Sequence, residues 1–134
     1  MSDENEPVLP GGELERALLT ALWARGSATA RELHDEIGGR RGTVYTTIAK
    51  VLDRLVDKGM VRRRRSARVY TYRAVARQKE THRAMARDLI SQLTHGGPRP
   101  AIAALLGALE DISPELVGEL EAELKARKKR RDGA

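Results

Sequence analysis

Apolar residues recur at helical spacing early in the chain. Leu14, Leu18 and Leu22 fall at i, i+4 and i+8, with Ala17, Ala21 and Ala24 beside them. Gly11 and Gly12 precede this stripe, and Gly26 follows it where a helix commonly stops. Thr29 opens a shorter pattern. Glu32, three residues on, completes a capping box, and Leu33 and Ile37 are its positions to bury. Gly38 and Gly39 are expected to end that helix after about two turns. Val44, Ile48, Val51, Leu52, Leu55 and Val56 form one apolar stripe and predict a third helix from about Val44 to Lys58, closed by Gly59. The period then changes to two. Residues 60–64 and 68–74 read as strands around Arg65, Ser66 and Ala67, with Tyr70 and Tyr72 alternating with Val69 and Thr71.

Helical spacing returns after Ala74. Met85, Leu89 and Leu93 lie on one line with Ile90 alongside. The run His95 to Pro100, HGGPRP, breaks it. A compact apolar helix over 101–109 follows, expected to start at Pro100 and to bury Ile102, Leu105 and Leu106. Ser113 and Pro114 mark another helix start, and Leu116, Val117, Leu120 and Leu124 carry a last amphipathic helix. The fold class is therefore mostly α with a small β-hairpin: a winged helix-turn-helix followed by a helical region. The domains divide as 1–10, a flexible acidic lead-in; 11–75, the winged domain; 76–126, a helical dimerisation region; and 127–134, a basic disordered tail. The last three helices each have an apolar stripe and little core of their own. Dimerisation through Met85, Leu89, Leu93, Ile102, Leu105, Leu106, Leu116, Leu120 and Leu124 would bury those stripes.

Composition sharpens this picture. The chain has 134 residues, one Trp, three Tyr, no Phe and no Cys. Without Cys there is neither a disulfide framework nor a thiolate metal site. The opening MSDENEPVLP lacks the basic and apolar regions of a signal peptide, and no apolar run approaches a bilayer span, so a soluble cytoplasmic protein with no membrane insertion is expected. His34, His82 and His95 lie on separate elements without metal-ligand spacing, and no nucleophile motif is present. The expectation is a non-enzyme with no cofactor and no metal.

Charge points to the partner. From Arg40 to Arg73 eleven Lys and Arg stand against only Asp53 and Asp57, a local net of +9, so the rest of this +6 chain nets −3. A helix joined to a basic hairpin calls for a polyanion, here double-stranded DNA. With its apolar stripe on the core, the third helix turns Thr46, Lys50, Asp53 and Asp57 outward, with Thr43, Thr47 and Arg54 on one flank. Its first two turns are free of negative charge, and that is the end which enters a major groove. Thr hydroxyls and Lys50 can meet base edges or phosphates. Tyr45, on the other flank, either bonds a phosphate or packs on the first helix. Arg62, Arg64, Arg65 and Arg68 around the hairpin turn would supply phosphate contacts, which give affinity without sequence information. The basic tail has no assigned role.

These blocks resemble the penicillinase-repressor (BlaI/MecI/CopY) family of transcriptional regulators. The resemblance rests on GGELERALLTALW, ATARELHDEI, YTTIAKVLDRLVDKGMV and RVYTY, in the right order and spacing from about Leu9 to Leu124. It implies a homodimeric repressor whose winged domains bind the halves of a dyad operator. It further implies control of antibiotic (β-lactam) resistance genes and induction through a membrane sensor protease that leads to cleavage of the repressor. The chain departs from the family at three points. Lys50 stands where many members have Thr, and Ala67 stands where a glycine usually precedes the wing arginine. The family's Asn-Phe cleavage site has no counterpart, because there is no Phe. The copper-responsive branch's cysteine cluster is likewise missing. Two other classes fit less well: a sequence-neutral coating protein, and a winged helix that docks proteins.

Overall fold

The structure, a computed structural model, describes residues 8–133, so most of the acidic lead-in lies outside the described residues. The last of that lead-in is anchored: Pro10 is buried. The chain divides into two compact units, one up to Ala86 and one from Arg87 onward.

The first unit is a winged helix-turn-helix. Helix α1 (Glu13–Arg25) buries Leu18, Leu19 and Leu22 and stops at Gly26, whose φ of 83° is one that few residues other than glycine accept. Strand β1 (Ala28–Thr29) is only two residues long. The Thr29 capping box forms as the spacing predicts: the Glu32 amide donates to Oγ1 of Thr29, and the Thr29 amide donates to the Glu32 carboxylate. This launches α2 (Ala30–Leu33).

The expected stop at Gly38 and Gly39 does not occur. The helix widens into a π-helical turn (His34–Gly38) and continues as α3 (Gly39–Arg41) to Gly42, at φ 66°. Gly38 is a contact position, not a terminator. A Cβ there would stand 2.4 Å from the His34 ring and 2.8 Å from the Thr43 carbonyl, and the Thr43 amide donates to the Gly38 carbonyl at 2.9 Å.

Helix α4 (Tyr45–Asp57) buries Ile48, Val51, Leu52 and Leu55. Val44 departs from the expected stripe. It is the extended residue that precedes the helix and is 61% exposed. The far end closes with paired bonds, Gly59 N–H to Val56 and Met60 N–H to Leu55, around Gly59 at φ 78°. Strands β2 (Val61–Ser66) and β3 (Val69–Ala74) then form an antiparallel hairpin, and β1 adds to the other edge of β3, in the order β1-β3-β2. The turn is tighter and lies further along the chain than the sequence suggests, because only Ala67 and Arg68 lie between the strands, at φ 49° and 69°. That is the two-residue turn whose twist suits a hairpin, adopted here without glycine. Trp23 Nε1 donates to the Ala76 carbonyl at 2.9 Å, and its ring meets His82 edge-on at 5.6 Å, which fixes the exit from the hairpin into α5 (Gln78–Leu93).

In the second unit a short 3₁₀ turn (Thr94–Gly96) leads to α6 (Pro98–Ile112), which starts two residues before the expected Pro100. Helix α7 (Glu115–Asp132) packs against α6. Leu105, Leu106, Leu116, Val117 and Leu120 are half-buried. The run expected to be a disordered tail is helical through Asp132. Ala, Lys and Arg are good helix formers, neither Gly nor Pro interrupts them before Gly133, and Arg127 reaches back to Glu123 at 2.7 Å. Several apolar side chains of α5, α6 and α7 remain outside any core: Leu89, Ile90, Leu93, Ile102, Ile112 (75% exposed) and Leu124 (50% exposed).

Candidate nucleic-acid interface

Burial of one stripe of α4 dictates what the opposite side offers. Thr46, Thr47 and Lys50 are exposed, Thr43 is half-buried at the entry, and none of them has a carboxylate partner among the described residues. The exposed Val44 adds a branched apolar group to the same end, able to meet a thymine methyl. The hydrophobic stripe alone would have hidden it; its position as the last residue before the helix is the signal that it need not be buried.

Tyr45 stands beside His34 at the start of α4. It is 48% exposed and meets the His34 ring edge-on at 6.1 Å, on the rim of an open cleft of about 740 Å³ between α2, α4 and the hairpin. Arg54 lies nearer the far end of α4 and is partly engaged, 3.8 Å from Glu15.

Glu15 is the buried carboxylate of the unit. Its Oε1 accepts from Lys58 Nζ at 2.7 Å and from the Gly11 amide at 3.2 Å. Burial pushes its pKa up. The Lys58 and Gly11 hydrogen bonds, with the charges of Lys58 and Arg54, outweigh that and hold it below the usual value. The ion pair ties the start of α1 to the end of α4 and so fixes the angle at which α4 is presented.

The hairpin arginines divide between two faces. The register sets Arg63 opposite Tyr72, Arg65 opposite Tyr70, Arg62 opposite Arg73 and Arg64 opposite Thr71. On the face turned toward the helices, Arg63 bonds Asp53 of α4 at 3.1 Å, and its guanidinium lies 4.8 Å from the centre of the Tyr70 ring; Arg65 lies 5.8 Å from the same ring. Tyr72 is buried beneath them. Burial and the Asp53 charge raise its phenol above the ordinary value, against the pull of Arg63. Asp53 and Arg63 therefore link β2 of the wing to α4. Alternation sets Arg63 on the same face as the buried Val61, which marks it as inward-facing but does not name Asp53 as its partner. Arg62 and Arg64 point the other way, and Arg68 occupies the turn itself.

The predicted contacts thus fall into three groups, the first turns of α4 including Tyr45, the inner and tip arginines, and the outer arginines, with Arg54 apart in the last turn of α4. Among the described residues no three His, Asp or Glu side chains come together as a metal site would require. Among the described residues no helix is long and apolar enough to cross a membrane.

A family model described as penicillinase repressor matches residues 11–126. The chain is 34% identical over 119 residues to a Mycobacterium tuberculosis protein named Transcriptional regulator BlaI, covering 86% of this chain and 85% of that one. Among solved structures, the AntR antimony-specific transcriptional repressor is similar at a TM-score of 0.48 and 22% identity, over 60% of this chain and 68% of that one. The oxidized form of MarR from E. coli is similar at 0.43 and 21%, over 73% and 74%.

Proposed function

The chain belongs to the penicillinase-repressor family, a family of transcriptional regulators, and from that premise we propose that it represses transcription by binding a dyad operator as a homodimer. The observation that carries this reading is the exposed, acid-free N-terminal half of α4, with Thr46, Thr47 and Lys50 turned outward and the basic wing tied to the same helix through Asp53 and Arg63. Such a face presents hydroxyls and an ammonium to base edges in a major groove, while Arg65, Arg68 and Tyr45 stand where flanking phosphates run. The apolar side chains left outside any core on α5, α6 and α7 support self-association, which would present two such faces at once.

On this reading the regulated genes serve β-lactam resistance, which the family's description as penicillinase repressor supports. Induction through a membrane sensor protease would require a bond other than Asn-Phe, because the chain contains no Phe.

Selection from a pool of randomised duplexes tests the proposal. The expected product is an inverted repeat with half-sites about one helical turn apart, on the order of 10 base pairs. Recovery of unrelated sequences with no shared motif leaves only a coating protein.

A further inference from the structure

We propose that the open cleft between α2, α4 and the hairpin is a binding site for a planar aromatic carboxylate, and that this ligand competes with DNA. The cleft, about 740 Å³, lies within the size range of small-molecule sites. Two alanines leave its space open: Ala30, buried on α2, and Ala49, half-buried on α4. Aromatic rings line it from both sides. His34 and Tyr45 meet edge-on at 6.1 Å on the helical side, and Tyr70 and the buried Tyr72 stand on β3. The backbone shapes the same wall. The π-helical turn begins at His34, and a Cβ at Gly38 would come 2.4 Å from the His34 ring. Without that Cβ the ring lies against its own helix and leaves the cleft free. Such local widening of a helix often accompanies a functional site.

The charges of the lining select an anion. Arg31 and Arg68 line the cleft and have no carboxylate partner among the described residues. Asp35 is the acidic residue of the lining, with its carboxylate 3.9 Å from Nδ1 of His34. Two guanidiniums against one carboxylate leave a net of +1, which matches a monoanion. A guanidinium fork takes both oxygens of a carboxylate. An aryl carboxylate is coplanar with its ring, so charge and ring enter the cleft together. The Tyr and His rings then offer stacked and edge-on partners to the ligand ring. A backbone phosphate would use the cations and leave the aromatic walls unfilled.

Tyr45 and Arg68 belong both to this cleft and to the surface proposed to meet flanking phosphates. An occupant therefore withdraws them from the duplex; this competition rests on the operator-binding reading above, and the ligand site does not. Amide chemical shifts of the full chain are followed during titration with cinnamate, its neutral amide cinnamamide, and cyclohexanecarboxylate. Cinnamate is expected to bind with a dissociation constant of about 1 mM or below and to shift amides of α2, α4 and β3. The other two should bind about tenfold more weakly, since one lacks the charge and the other the aromatic ring. Arg31→Gln removes a cation and Ala49→Leu fills the space, and each should weaken cinnamate about tenfold. Arg83→Gln, an exposed cation of α5, should leave it unchanged.

The second arm measures duplex release at constant ionic strength. Cinnamate at roughly ten times its dissociation constant should lower the affinity of the wild type for a selected inverted repeat about tenfold, and that of Arg31→Gln much less. Cinnamamide at the same concentration should release little. Equal cinnamate binding by the wild type, Arg31→Gln and Ala49→Leu, or shifts confined to α5, α6 and α7, overturns the site. Shifts in the cleft with unchanged duplex affinity overturn the competition. A wild type that holds every duplex equally removes the operator reading instead and leaves the ligand titration to decide the site.

Discussion

At the residue scale, Lys50 and Arg65 are both exposed cations and are expected to do different work. Lys50 lies on the acid-free part of α4, and Arg65 sits beside the hairpin turn over Tyr70. Lys50→Ala should change base preference at one operator position, by roughly 1–3 kcal/mol of discrimination, whereas Arg65→Ala should weaken binding to every sequence alike. Competition titrations with single-base variants of a selected site separate the two. A uniform loss for Lys50→Ala would move that side chain from a base edge to a phosphate.

The turn makes a second prediction at this scale. Ala67 and Arg68 both take a left-handed conformation that costs a residue with a Cβ about 1–2 kcal/mol. The double change Ala67→Asn, Arg68→Gly supplies residues suited to such a turn and should raise stability by about 1 kcal/mol in urea, while lowering duplex affinity because Arg68 is gone. Unaltered stability would mean the turn relaxes in solution.

Glu15 gives a third prediction. Its pKa is held below the ordinary carboxylate value, so its contribution to stability is complete above that value and is lost as the pH falls through the folded-state pKa. Stability of the wild type should therefore decline more steeply on acidification than that of Glu15→Gln, as read by urea unfolding at a series of pH values between neutral and about pH 3. Lys58→Met leaves the carboxylate buried without its partner and should cost roughly 2–3 kcal/mol, less than for a wholly buried pair because 29% of the Lys58 side chain is exposed.

At the scale of elements, legibility followed the kind of force involved. Helices α1 and α4 announce themselves through a 3.6-residue apolar period and glycines at their ends, all local signals. The Thr29 capping box is equally local, and it forms as the spacing predicts. Gly38 could not be read this way. Its role depends on His34 and the Thr43 carbonyl closing on it, and in sequence a glycine needed for close approach looks the same as one that ends a helix. Strand β1, two residues long, has no period to detect and exists because β3 offers it an edge. The two faces of the wing are implicit in its alternation, but which arginine meets Asp53 requires the register that buries Tyr72. The basic end of α7 looks like a loose tail by charge, whereas its helix-forming residues and the Glu123–Arg127 pair continue the helix to Asp132.

The tie between α4 and the wing belongs to this scale as well. Asp53→Ala removes the acceptor for Arg63 and should loosen the wing without disturbing the core, since both side chains are largely exposed. Faster amide exchange in β2 and β3 with unchanged protection of α4 is the expected result. Equal protection in both proteins would mean the sheet holds the wing without help.

At the scale of the whole molecule, the proposed operator binding requires two copies acting together. The apolar residues outside any core on α5, α6 and α7 are the surface expected to join them. Leu120 and Leu124 lie four residues apart on α7, and a charge at Leu124 in particular would meet little within its own chain. Leu124→Glu is expected to shift the sedimentation equilibrium from dimer to monomer while the winged domain keeps its fold. A variant that stays dimeric would place the contact on α5 around Leu89 and Leu93.

The most direct measurement is a titration of the full chain against a selected inverted-repeat duplex and a scrambled duplex of the same composition, at two salt concentrations, with stoichiometry from ultracentrifugation. Two chains should occupy each inverted repeat, and the preference for it should persist as salt rises, because base contacts are less sensitive to salt than phosphate contacts. Equal affinity for both duplexes at both salt concentrations, or one chain per duplex, would contradict the account.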